Sequence, residues 1–163
     1  MATLVVLVGL PGSGKSHTLP ELSRQYGTDR VFDSYQKNAV GDCAHFPFSR
    51  HYAEVLERLR GGKNVVIADV RFCTRVYRQQ AEKCIVVHAP GTTIEWICFD
   101  NTPEQCKRNV KHSGRGVESR TNRIDEFHQH YTYPERATRI PVWDGKDPTT
   151  SSPVCHGLDT EDA

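Results

Sequence analysis

Eight residues near the start of the chain, Gly9-Leu10-Pro11-Gly12-Ser13-Gly14-Lys15-Ser16, restrict what it can fold into more than any other stretch. An apolar run at 3–8 precedes them and a segment with helical character at 16–26 follows, so the order is strand, glycine-rich loop, helix. The spacing G-x-x-x-x-G-K-S is that of a phosphate-binding P-loop. Its glycines permit backbone torsions and close approaches that a Cβ would block. Successive N–H groups then face phosphate oxygens at the positive end of a helix. Lys15 is placed to reach the β- and γ-phosphates of a nucleoside triphosphate, and Ser16 to bind Mg2+. The expected nucleotide contacts are Gly9, Pro11, Gly12, Ser13, Gly14, Lys15, Ser16 and Thr18.

The rest of the composition narrows the setting. At 163 residues the chain is about one domain. No apolar run approaches the roughly 20 residues a bilayer span requires. The first ten residues lack a basic flank and pass straight into the loop, which reads as a core strand and not a signal peptide. The expected location is cytoplasmic, with the nucleus open to a eukaryotic protein, and no membrane partner is expected. The net charge of +1 does not announce a nucleic-acid binder, although a local basic groove is compatible with it. Six cysteines show no C-x-x-C spacing and read as reduced thiols, mostly buried. Eight histidines form no ligand set.

Strands and helices alternate along the chain. Strands are expected at 29–33, 65–69, 94–99 and 140–143, after the first at 3–8, with helices between them. Pro20 is expected to bend or shorten the first helix, and Gly27 to stop it. Residues 37–47 read as a loop, and 48–60 as a helix with Tyr52, Val55, Leu56 and Leu59 on one face. Thr102, Pro103 and Glu104 mark a helix start. Residues 112–119, with two glycines and Arg115, read as a mobile loop, followed by a helix at 120–130. The expected architecture is an α/β P-loop kinase fold over 1–148. It has about five mostly parallel strands, helices on both faces and a short arginine-bearing lid near 112–119. Residues 149–163 read as a flexible tail.

Asp33 and Asp69 end the second and third strands, at the edge where open α/β sheets collect their ligands. Asp69 is expected to hold a Mg2+-bound water or to brace Arg71. Arg71 is expected to orient the acceptor or a phosphate. Arg108, Arg115, Arg120 and Arg123 surround the lid, and guanidinium groups suit phosphoryl oxygens and transition-state charge. Two of the four are expected to touch nucleotide. Tyr131, Tyr133 and Pro134 are expected near the adenine. The chain carries no guanine-reading N-K-x-D, and a small core with a closing lid suits transfer to an acceptor with water excluded.

The chain resembles the 5′-hydroxyl polynucleotide kinase branch of the P-loop kinases, over roughly residues 3–143. The similarity lies in the P-loop with its proline and in Asp33-Ser34-Tyr35-Gln36, near the family's D-D-Y-R. It continues in Asp69-Val70-Arg71 and in Phe99-Asp100-Asn101-Thr102-Pro103 followed by Lys107-Arg108-Asn109. The resemblance implies that Asp33 is the general base toward the attacking hydroxyl, that Arg108 and Arg115 serve the transfer, and that ATP and Mg2+ are used. A carboxylate with a pKa near 4 is a weak base, so its larger role in loose phosphoryl transfer is to aim the nucleophile. Gln36 stands where the family has an arginine that helps hold nucleic acid. Three readings follow: a kinase for a nucleic-acid 5′-hydroxyl end, a kinase for a nucleoside, sugar or antibiotic, and an ATP-binding switch module. The oligomeric state is not readable from the sequence.

Overall fold

The computed structural model describes residues 1–33 and 51–146. Strand β1 (Thr3–Val8) is built from β-branched and aliphatic residues, and Leu4 to Val8 are wholly excluded from solvent. A strand apolar on both faces must be covered on both, which places it at the centre of a parallel sheet. The other strands are β2 (Val31–Asp33), β3 (Val65–Ala68), β4 (Thr93–Phe99) and β5 (Thr138–Ile140). Their order is β2-β3-β1-β4-β5, and every neighbouring pair runs parallel. The chain leaves β1 first toward β2 and β3, then returns past it to β4. Thus β1 is the topological switch point, and its C-terminal end opens onto the crevice that such sheets provide.

The alternation of β1 divides the core. Leu4, Val6 and Val8 join Val65 and Ile67 beneath α2 (Tyr52–Arg60), α3 (Arg75–His88), α4 (Pro103–Ser113) and α5 (Val117–His128). On the other face Val5, Leu7, Val66 and Ala68 pack with Leu19 and Leu22 of α1 (Lys15–Gln25). The helix that follows the P-loop therefore has one face of the sheet largely to itself. Lys107 of α4 and Asp125 of α5 form an ion pair at 2.6 Å between the two helices.

Several expected boundaries differ. Helix α1 runs through Pro20 to Gln25 without ending early. Pro20 is exposed, so water solvates the carbonyl it cannot serve, while the buried Leu19 and Leu22 hold the helix on the sheet. The expected loop at 112–119 shrinks to a turn at Gly114, Arg115 and Gly116, where both glycines are left-handed, with φ 67° and 52°. Helix α4 thus continues through Ser113, and α5 begins at Val117. The last strand is Thr138–Ile140 and not 140–143, because Pro141 has no N–H for the ladder. Ser34, Tyr35, Gln36, Cys43, Cys155, the expected loop at 37–47 and the tail at 149–163 lie outside the described residues. Among the described residues, Cys73, Cys84, Cys98 and Cys106 are free and buried, and no helix is long and apolar enough to cross a membrane.

Pro20→Ala restores a donor to the middle of α1 and is expected to stabilise the protein by about 1–3 kcal/mol, less the entropy that proline removes from the unfolded chain. The midpoint of urea unfolding checks this; an unchanged or lower midpoint contradicts it.

Candidate active site

The parallel sheet delivers its strand ends to one edge. The P-loop follows β1, and Asp33 ends β2 in register with Ala68 of β3, which pairs with Leu7 of β1. Two strand spacings thus separate Asp33 from β1, about 10 Å. Asp69 follows the intervening strand. Asp33, Asp69 and the P-loop thus stand at the C-terminal ends of neighbouring strands, on one edge of the sheet.

The loop's shape is set from outside it. The amide Nδ2 of Asn109 on α4 donates to the carbonyl oxygens of Gly12 and Trp143, each at 2.8 Å. The backbone N–H of Trp143 donates to the Ser13 carbonyl at 2.9 Å. Thr18 donates to the Gly14 carbonyl through its N–H at 3.2 Å and its hydroxyl at 3.1 Å. In a trans peptide the N–H points opposite the C=O. The Ser13 N–H donates to the Leu10 carbonyl at 3.1 Å and closes a turn, while the carbonyl tied outward at Ser13 turns the Gly14 N–H toward the other side. The first N–H groups of α1 lack intrahelical partners and add to that donor set. Contact is close at all three loop glycines: a Cβ on Gly9 would run into Ser13 Oγ. A Cβ on Gly12, at φ 79°, would lie 2.5 Å from the Cys106 carbonyl oxygen. One on Gly14, at φ 109°, would lie 2.7 Å from Trp143 Cβ. The Ser13 hydroxyl is buried against Gly9 with no hydrogen-bond partner among the described residues, so Ser13 serves the loop through its backbone.

Lys15 Nζ donates to the carbonyls of Gly9 at 2.7 Å and Leu10 at 2.9 Å. Burial lowers its pKa, and the neighbouring charges, Asp33 and Asp69 among them, act against that. A cation half withdrawn from water, whose hydrogen bonds among the described residues go to neutral carbonyls, gains strongly from a phosphate. Ser16 stands exposed in the first turn of α1. Its hydroxyl suits one Mg2+ position, with phosphate oxygens and waters completing the shell. No group of three or more His, Cys, Asp or Glu among the described residues forms a metal cage.

Of the two expected roles of Asp69, the structure displays the brace to Arg71. Asp69 is buried and caps the 3-10 turn Val70–Cys73, accepting the Arg71 backbone N–H at 2.8 Å. The Arg71 guanidinium grips both carboxylate oxygens, Nε at 3.1 and 3.0 Å and an Nη at 2.5 Å, and lies over the Tyr77 ring. Hydrogen bonding to Asp69 and its charge raise the Arg71 pKa, although burial, the largest influence, lowers it.

The four arginines expected around a lid are distributed unevenly. Arg108 is exposed on α4 and donates to Gln105 at 2.7 Å. Arg115 is exposed on the glycine turn, Arg123 is exposed on α5, and Arg120 donates to Ser113 at 3.1 Å. Tyr131, expected near adenine, is instead buried in the core, its hydroxyl donating to the Phe99 carbonyl at 2.6 Å. Tyr133 accepts the Asn101 N–H at 2.7 Å and lies beneath Arg139. Sequence reasoning missed Asn109 and Trp143 as supports of the loop. Asn109 carried one signal, its place in the pre-lid run Lys107-Arg108-Asn109; Trp143, which also stacks on His17 with centroids 4.3 Å apart, carried none.

The comparisons agree with this geometry. A family model described as an AAA domain matches residues 4–134. An uncharacterized protein of Acanthamoeba polyphaga mimivirus is 28% identical over 128 residues, which cover 78% of this chain and 85% of that protein. A gluconokinase from Sinorhizobium meliloti 1021 has a similar structure, with TM-score 0.58 and 18% identity, covering 86% of this chain and 82% of that one. Chaetomium thermophilum Kti12 in complex with ADP-AlF3 gives TM-score 0.57 at 15% identity, over 88% and 91% of the two chains. A fungal RNA kinase gives 0.57 at 16%, over 93% and 78%.

Gly12→Ala is expected to weaken ADP binding by at least tenfold and to destabilise the fold by about 1–3 kcal/mol, through left-handed strain and the clash with Cys106. Calorimetric titration with ADP and thermal melting check both; wild-type affinity contradicts the reading of the loop. Separately, burial pushes the thiols of Cys106 up to about 11 and of Cys73 up to about 12. At pH 8 both remain thiols, so neither is expected to react with a thiol reagent in the folded protein, and both react in denaturant. Labelling of either in the native state contradicts this.

Proposed function

The chain belongs to the AAA-domain family, and on that premise we propose that it is an ATP- and Mg2+-dependent phosphotransferase that moves the γ-phosphate to a hydroxyl. The observation that carries the proposal is the joint placement of Lys15 in a preformed phosphate loop and Asp33 on the same sheet edge, two strands away. Lys15 exchanges the Gly9 and Leu10 carbonyls for β- and γ-phosphate oxygens. The N–H groups of the loop bind the phosphate chain and hold it still. Ser16 would hold Mg2+, which would supply charge neutralisation at the phosphates; Asp69 would act from behind, through Arg71 or through a metal-bound water.

The preferred acceptor is the 5′-hydroxyl end of a nucleic acid. Asp33 accepts its proton and aims its oxygen at the γ-phosphorus, while Arg71 orients the acceptor. Arg108 and Arg115 bring guanidinium groups to the transferring phosphoryl when the lid closes. Support comes from the motif order along the chain and from the likeness in fold to a fungal RNA kinase. A second acceptor class, a sugar or nucleoside, is favoured by Gln36, by the +1 net charge and by the equal likeness in fold to a gluconokinase.

Transfer of labelled γ-phosphate to 5′-hydroxyl DNA and RNA oligonucleotides tests the proposal. Wild type is expected to give end-labelled product. Asp33→Asn is expected to lower kcat by about 10²–10⁴-fold, Lys15→Ala to remove activity, and EDTA to abolish it. Product on sugars or nucleosides alone selects the second acceptor. Tight ATP binding with no competent acceptor, and indifference to Asp33→Asn, overturns the kinase reading in favour of a nucleotide-dependent switch.

A further inference from the structure

Asn109 is buried, yet its side chain makes three hydrogen bonds that leave no choice of orientation. Two of its neighbours are carbonyls, of Gly12 and Trp143, so the NH2 group must face them. Its oxygen accepts from Gln105 Nε2 at 2.9 Å, one turn back on α4. A single amide thus joins three pieces of chain: the P-loop, the segment after β5, and helix α4. The Trp143 segment closes the same circuit, because its own N–H holds the Ser13 carbonyl.

We propose that Asn109 is a positioning residue for the phosphate loop: it holds the Gly12 carbonyl directly and, through Trp143, the Ser13–Gly14 peptide plane that turns the Gly14 N–H toward the β-phosphate. The inference rests on nucleotide binding at the P-loop, which the kinase reading shares, and on no particular acceptor. Gly12 and Gly14 have left-handed torsions and no side chains; inside the loop the Ser13 N–H is tied to the Leu10 carbonyl at 3.1 Å, while the Ser13–Gly14 peptide is held from outside by Trp143. A flipped peptide would present an oxygen to a phosphate oxygen. Asn109 and the Leu10 carbonyl together hold the Gly12–Ser13 peptide, and Trp143, itself held by Asn109, removes that alternative at Ser13–Gly14. Asp in place of Asn109 keeps the shape but turns two attractive contacts into oxygen facing oxygen.

The test compares ADP with AMP, because only ADP carries a β-phosphate. Dissociation constants for both, by calorimetry with Mg2+, give a ratio for wild type, Asn109→Asp, Asn109→Ala and Ile124→Val. Ile124 is a core residue of α5 that touches neither loop nor nucleotide in this account, so its variant controls for lost stability. The preference for ADP over AMP is expected to fall about tenfold in Asn109→Asp and several-fold in Asn109→Ala, at temperatures where melting shows each folded. Ile124→Val is expected to melt lower and keep the wild-type ratio. A wild-type ratio in a folded Asn109 variant, or equal weakening of ADP and AMP, overturns the inference and leaves the kinase reading standing. If Asn109→Asp is unfolded, Asn109→Ala decides; if both are unfolded, Asn109 serves the fold and the inference fails. Wild-type protein that binds neither nucleotide overturns both.

Discussion

The outward anchoring of the P-loop carbonyls is the interaction on which the site depends. A loop with three glycines has too much conformational freedom to hold a row of N–H donors by itself. Here the carbonyls of Gly12, Ser13 and Gly14 are tied to Asn109, Trp143 and Thr18. Each tie takes away a rotation the loop would otherwise make, so the ordering cost is met in folding and not at the moment of binding. Lys15 completes the arrangement, held over the loop by the Gly9 and Leu10 carbonyls.

The parallel sheet supplies everything else by topology. A switch point at β1 places the loop at the centre of the C-terminal edge, with β3 and β2 stepping outward on one side. The nearer carboxylate, Asp69, is buried and bound to Arg71, whereas Asp33 lies half-buried at the farther strand end. Such a division suits phosphoryl transfer, in which positioning and charge carry more of the catalysis than a strong base does.

The legible parts of the sequence were those with local causes. Strand β1, the loop and the start of α1 follow from one contiguous motif, and β3 and β4 from their apolar runs. Pro103 marks the start of α4 because its ring fits the first turn, although Thr102 makes no side-chain cap there. What local reasoning misplaced was decided elsewhere in the fold. Helix α1 passes Pro20 because Leu19 and Leu22 are buried on the sheet, an effect of packing that intrinsic propensity does not contain. Tyr131 looked like a site residue by its place after the lid, but its hydroxyl closes a gap between β1 and β4 in the core. The tie from Asn109 to Gly12 spans 97 residues, a separation at which a single sequence carries no pairing information.

The central claim is that the Gly14, Lys15 and Ser16 amides stand ready for a phosphate chain at the start of α1. Backbone amide chemical shifts, followed by 15N–1H correlation spectra while Mg2+ and ADP are added, test it residue by residue. The account predicts the largest changes at the amides of residues 12–18, with those of Asn109 and Trp143 following at the same ligand concentration. Saturable binding with shifts confined to another part of the molecule, or no shift at Gly14, Lys15 and Ser16, would contradict it.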